Sequence, residues 1–243
     1  MGCTQTFTKP TEEEAVVQAE EALNIHTQNS SQLDITFRKF SLNGKLNALQ
    51  FTRASNSLGV TTSNIGNFTR VTTTYNRLKD YDGNFLLIDL IVIGALLGKE
   101  SKENKARILY QCMDNELLGY LKDHQVRHLV DLLARHSVDT LGGLVCDGQN
   151  PYSSELRNSK YLFDLNSVRK DVVKKISDFI MIGLEKVKEN DFIERLAFYC
   201  EGRVLTSAGF REILYCEYIA SIPKKQYINS SDVRRAFRKA ISE

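Results

Sequence analysis

Tryptophan is absent from the 243 residues, proline occurs three times, and the net charge is only +2. So small an excess of one sign provides no global field to recruit nucleic acid. No apolar run approaches the roughly 18–20 residues of a membrane-spanning helix; the longest, Phe85 to Leu97, is interrupted by Asp89. The first residues lack the basic and apolar regions of a secretory signal. The five cysteines (Cys3, Cys112, Cys146, Cys200 and Cys216) are odd in number and form no CxxC pair, which argues for reduced thiols rather than a disulfide framework. Catalytic signatures are missing too. Gly142-Gly143 is not followed by GK[ST], and no GxSxG elbow occurs. His124 and His128 have zinc-ligand spacing, but Gln125 stands where a metalloprotease would carry glutamate. No catalytic residue is assigned, and an enzyme is not expected.

What is present points to helices. Apolar residues make up 42% and charged residues 26%, ordinary values for a globular chain. Thr11 and Glu14 read as a capping box opening a helix to about Ile25, with Val16, Ala19 and Leu23 on one face. The acidic runs Glu12-Glu13-Glu14 and Glu100/Glu103 read as solvated faces. At the start, Met1-Gly2-Cys3-Thr4-Gln5-Thr6 fits the pattern for myristoylation at Gly2. One acyl chain holds a protein only marginally on a membrane, so Cys3 is the expected second site, for palmitate. That predicts a peripheral, lipid-anchored protein on the cytoplasmic face of a membrane.

Further on, a unit repeats: an apolar-periodic helix, a short loop with glycine or polar residues, one apolar residue, and a second helix. The clearest copy runs from Ile108 through Asp114-Asn115-Glu116-Leu117-Leu118-Gly119-Tyr120-Leu121-Lys122-Asp123-His124-Gln125 to Leu133. Others centre on Asn43-Gly44, on Asp80-Tyr81-Asp82-Gly83, and on Leu205 to Phe210. The residues that follow them, Phe51, Leu90, Val126 and Phe210, are spaced like tandem repeats with one insertion before the last.

This grammar resembles the EF-hand superfamily, and with Gly2 acylation it is similar to the recoverin-type and calcineurin-B-like calcium sensors. The resemblance implies an all-α fold: two lobes of paired helix-loop-helix units with extra N-terminal, inter-hand and C-terminal helices. Its expected divisions are an acylated start over 1–10, a first pair over 11–100, a second pair over 101–222 with an insertion near 137–168, and a basic amphipathic tail helix over 223–243. The helix from Val168 to about Val187 is expected as an extra element on the second lobe, with Gly183 permitting a close helix contact.

The loops depart from the family's ligand pattern. Asp80, Asp82 and Asp89 are candidate metal ligands in the second loop, Asp114 and Glu116 in the third. Gln125 occupies the last ligand place, where a bidentate glutamate is wanted. Cofactors are therefore expected to be none, or weakly held calcium or magnesium. The resemblance implies a non-enzymatic adaptor or signalling regulator that takes a partner's amphipathic helix in an apolar groove, with Leu90, Ile91, Ile93, Leu96 and Leu97 as candidates for groove or core. Rival expectations are a calcium sensor with one surviving site in the second loop, and a structural subunit or stand-alone relative of the EF-hand regions that precede TLDc domains.

Overall fold

The computed structural model describes residues 11–60, 62, 69–146 and 160–222. The expected acylation sites at Gly2 and Cys3, the middle of the insertion (147–159) and the tail helix lie outside these residues. The molecule is predominantly helical. Helix α1 (Thr11–Glu21) is followed by a single 3₁₀ turn, Ile25–Thr27, and then by four helix–strand–helix units. The first is α2 (Ser30–Phe40), β1 (Lys45–Leu46) and α3 (Ala48–Leu58). The second is α4 (Thr69–Asn76), β2 (Phe85–Leu86) and α5 (Leu87–Leu97). The third is α6 (Lys102–Met113), β3 (Tyr120–Lys122) and α7 (Asp123–Arg135). A π-helical turn over His136–Thr140 and the short α8 (Gly143–Cys146) lead to the fourth: α9 (Lys160–Met181), β4 (Lys186–Lys188) and α10 (Glu189–Phe198). A 3₁₀ segment, Tyr199–Leu205, and α11 (Ser207–Ser221) follow.

The short strands pair antiparallel, β1 with β2 and β3 with β4. Their registers set Leu46 against Phe85 and Leu121 against Val187, and all four side chains are buried. One inward apolar residue per strand thus ties each ribbon to the core, as period-2 alternation requires. A single contiguous core runs from Leu23 to Leu214, and α5 packs on both α6 and α7, so the two pairs share it.

The fourth unit differs from the sequence expectation. The stretch expected as helix to Val187 ends at Met181, because Gly183 takes the left-handed region (φ 71°) and turns the chain into β4. Among the described residues no side chain or backbone comes within 4 Å of where a Gly183 Cβ would stand, so the close helix contact expected there is not made. Leu205 to Phe210, expected as the fourth loop, is instead the junction of the 3₁₀ segment with α11, whose N-terminus Thr206 caps by accepting from the Gly209 N–H. The described ends of the insertion, at 137–146 and 160–168, are helical rather than loop.

A second correction concerns charge. Glu13 and Glu20 are buried, at 3% and 6% exposure, although the run Glu12-Glu13-Glu14 reads as solvated. They lie seven residues apart, on one face of α1, and both grip Arg211 of α11, which is wholly buried. Arg211 Nε and Nη2 donate to the two Glu13 oxygens at 2.8 and 2.9 Å, and Nη1 donates to Glu20 at 2.7 Å and to the Ser137 carbonyl at 2.9 Å. Tyr161 donates to Glu13 and Ser207 to Glu20. Burial pushes the Glu20 carboxyl up, against the opposing pull of Arg211. Burial alone would lower the Arg211 guanidinium, but the two carboxylates outweigh it and hold it charged.

Candidate functional site

The loops between the helices of each unit are where a cation would sit if these units were metal sites. Calcium demands six to eight oxygens, several of them anionic. Each loop instead closes on a group of the chain itself.

In the first unit the loop is a tight turn. Leu42 and Lys45 exchange backbone hydrogen bonds at 2.8 and 3.1 Å around Asn43 and Gly44, which have φ of 52° and 74°. Two consecutive left-handed residues are what a two-residue hairpin turn needs, and Asn-Gly supplies them. No carboxylate stands in this turn.

The second loop is built on Asp80. Its Oδ1 accepts from the backbone N–H of Asp82 at 3.0 Å and of Asn84 at 2.9 Å. Its Oδ2 lies 2.7 Å from the Lys45 ammonium, which reaches across the ribbon from β1 and stands 3.9 Å from Asp82. The lysine beside Asp80, with those backbone donors, holds its carboxyl below the usual aspartate range, and the same pair raises Lys45. An ammonium therefore occupies the flank of this loop, beside its two carboxylates. Asp89, expected as its third ligand, serves elsewhere. Its Oδ1 accepts from His136 Nε2 at 2.8 Å and from Arg135 at 3.0 Å, while His136 Nδ1 lies 3.0 Å from Thr140 Oγ1. Asp89 and His136 are both buried, so this pair belongs to the joint between α5 and the π turn.

In the third loop the Asp114 carboxylate folds back on its own backbone, accepting from Leu118 N–H and Gly119 N–H at 2.8 Å each. Glu116 points to solvent. Gln125 closes the loop: its Oε1 accepts from Lys122 N–H at 2.9 Å and its Nε2 donates to the Met113 carbonyl at 3.3 Å. A neutral amide can do both at once, because it carries a donor and an acceptor. The fourth loop contains Glu185 alone among carboxylates, and Arg195 of α10 ties its start by donating to the carbonyls of Ile180 and Ile182 at 2.8 and 2.9 Å.

These residues do not fit a calcium or magnesium site. Among the described residues no group of three or more His, Cys, Asp or Glu side chains is arranged to hold a metal. His124 and His128 are exposed on α7, and Asp131 faces Arg169 at 3.7 Å. Asp80 and Asp82 are brought together; Asp89, Asp114 and Glu116 join neither them nor one another.

The expected groove residues are mostly internal. Leu90, Ile93 and Leu96 sit in the main core, Ile91 in a satellite cluster with Ile108 and Cys112, and Leu97 is partly buried against the core. An open cleft of about 640 Å³ lies instead beside Asp89 and His136, with Leu78, Leu86, Arg135 and a 74% exposed Phe163 among its walls. Sequence reasoning missed Lys45, Arg195, Arg211 and His136. Only the Asn-Gly dipeptide gave a local signal of the first turn. Among the described residues no helix is long and apolar enough to cross a membrane. No family model, no curated protein and no solved structure matches the chain.

Proposed function

We propose that this chain is an EF-hand-like, non-enzymatic adaptor or regulatory protein, tethered to a membrane through acylation at Gly2 and Cys3, whose partner docking is not gated by calcium. Four helix–strand–helix units, paired two by two through one short ribbon each, support the EF-hand-like reading. The observation that carries the mechanism is loop closure by protein groups: the Asn43-Gly44 turn, Lys45, Gln125 and Arg195 hold the four loops shut. A ligand shifts a conformational equilibrium only by its differential affinity for the two states. Loops already satisfied by a lysine, an amide and a guanidinium leave little for an ion to add. The protein then works as a fixed scaffold. The cleft beside His136 sets Leu78, Leu86 and Phe163 among charged walls such as Arg135 and Asp139, and an amphipathic partner helix is the occupant this reading assigns to it.

Isothermal calorimetry with calcium and with magnesium tests the mechanism. The wild-type chain gives no saturable heat, and capture of partners on the purified protein is the same with and without chelator. Tight stoichiometric binding by several loops overturns the mechanism. A second reading, a sensor with one surviving site, has the Asp80–Asp82 pair in its favour. It requires saturable heat in the wild type that Asp80→Asn and Asp82→Asn abolish.

A further inference from the structure

We infer that the outer face of the β3–β4 ribbon is a membrane-contact surface that binds anionic lipid headgroups and inserts its loop tips among them. Alternation buries Leu121 and Val187 and turns Tyr120, Lys122, Lys186 and Lys188 away from the core. Lys122 and Lys186 are direct cross-strand partners. Like charges placed opposite one another are unfavourable in a ribbon, so this pairing does not stabilise it. Lys186 leans 4.0 Å over the Tyr120 ring, and among the described residues no carboxylate forms an ion pair with any of the three lysines. Asp123 and Glu189, the acids next to Lys122 and Lys188, pair with Arg127 and Arg107 instead, and Glu185, next to Lys186, is exposed. The first ribbon shows the contrast, since its Lys45 is taken up by Asp80.

Apolar side chains flank these lysines. Leu117 is 89% exposed, Leu118 45% and Ile182 66%. Leu117 also has φ 55°, a left-handed conformation that disfavours leucine, so local backbone preference does not explain its presence. Antiparallel register carries Leu117–Leu118 to one end of the ribbon and Ile182 to the other, with the lysines between them. A ribbon two strands wide is no groove, and the best-formed clefts are lined by other elements. A bilayer surface supplies diffuse negative charge with hydrocarbon just beneath it, and needs no complementary shape. The inference extends the membrane-tethered reading but does not depend on the acyl groups.

The experiment uses the unacylated full chain, so its failure would leave the Gly2 and Cys3 anchor standing. The protein is sedimented with vesicles of phosphatidylcholine alone and of phosphatidylcholine with phosphatidylserine. Binding is expected only to the anionic vesicles and weakens as salt rises. Each lysine near an anionic surface accounts for about a fivefold change in partition, so K122Q/K186Q/K188Q falls about 100-fold. Leu117→Ser with Leu118→Ser lowers it by about tenfold or more. Both variants melt with the parent, because the changed side chains are solvent-facing. Equal partition of parent and lysine variant, or no binding to anionic vesicles, overturns the inference. Binding to an acidic polyglutamate peptide but not to vesicles overturns it in favour of a protein partner.

Discussion

Lys45 and Arg211 each face two carboxylates, Asp80 and Asp82 in one case, Glu13 and Glu20 in the other. The first set is open to water on one side: the Lys45 side chain is 45% exposed and that of Asp82 78%, with Asp80 beneath them at 14%. The second is sealed, with Arg211 at 0%, Glu13 at 4% and Glu20 at 8%. Solvent screens the exposed set and makes it weak, which suits a stand-in that fills a loop without stiffening it. The sealed set has no water to fall back on, so each nitrogen of Arg211 needs an acceptor, and Glu13, Glu20 and the Ser137 carbonyl provide them. Lys105 makes a third case. Its ammonium is buried, donates to the Leu205 carbonyl at 3.2 Å and forms no ion pair among the described residues, although the Glu100 charge offsets part of the burial. The same kind of charge therefore acts as a loop filler, as a joint between distant helices, or as a burden only partly compensated, depending on burial and partners.

The largest effect is expected at the joint. Arg211→Met strands two buried carboxylates and lowers stability by about 3–5 kcal/mol in urea unfolding. Replacing all three (Glu13→Leu, Glu20→Leu and Arg211→Leu) restores most of that loss, because apolar replacement of a whole buried ion set is often neutral or stabilising. If the triple variant is as unstable as the single one, shape rather than charge is what the seam requires.

Lys105 sharpens the contrast through pH. Burial pushes its amine down from 10.5 to about 8. Between pH 8 and 10.5 the unfolded chain holds a proton that the folded chain has released, so stability rises with pH across that window. The rise attributable to this one group is on the order of 2 kcal/mol, obtained by subtracting the pH profile of Lys105→Met, in which it vanishes. A flat difference profile would mean that the ammonium stays solvated.

A smaller change is expected at Gln125, where Gln125→Ala removes two loop hydrogen bonds and costs about 1–2 kcal/mol. Gln125→Glu keeps the acceptor but sets a carboxylate against the Met113 carbonyl, and stability of that variant becomes dependent on added calcium. Least of all is expected from Lys45→Met, whose unfolding midpoint stays close to the parent. Its signature is a new, weak magnesium heat that the parent lacks. A large loss of stability there would erase the distinction between exposed and sealed sets.

Much of the architecture was legible because apolar periodicity reports burial directly. Phe37, Phe51, Leu90, Val126, Leu129 and Leu133 all lie where their spacing puts them, in the core. The fourth unit was misplaced because α9 continues an apolar stripe toward Gly183, and a glycine on a stripe is ambiguous until its φ is known. The joint was illegible for a different reason. Glu13 and Glu20 look like any acidic helix start, and what buries them is an arginine 198 and 191 residues away. Lys45 and Asp89 show the same limit: a side chain's partner across the fold is not a property of its neighbours in the chain.

That span has a consequence for how the molecule is made. Helix α1 leaves the ribosome well before α11, and its two carboxylates lack the Arg211 counter-charge until α11 has been synthesised. At about 5–20 residues per second, the wait is roughly 10–40 s, during which the acidic face of α1 stays in water. Contacts of such high sequence separation form late and slow the final step of assembly. A helix made early is thus seated late, and its arrival reports that the chain has been made through α11.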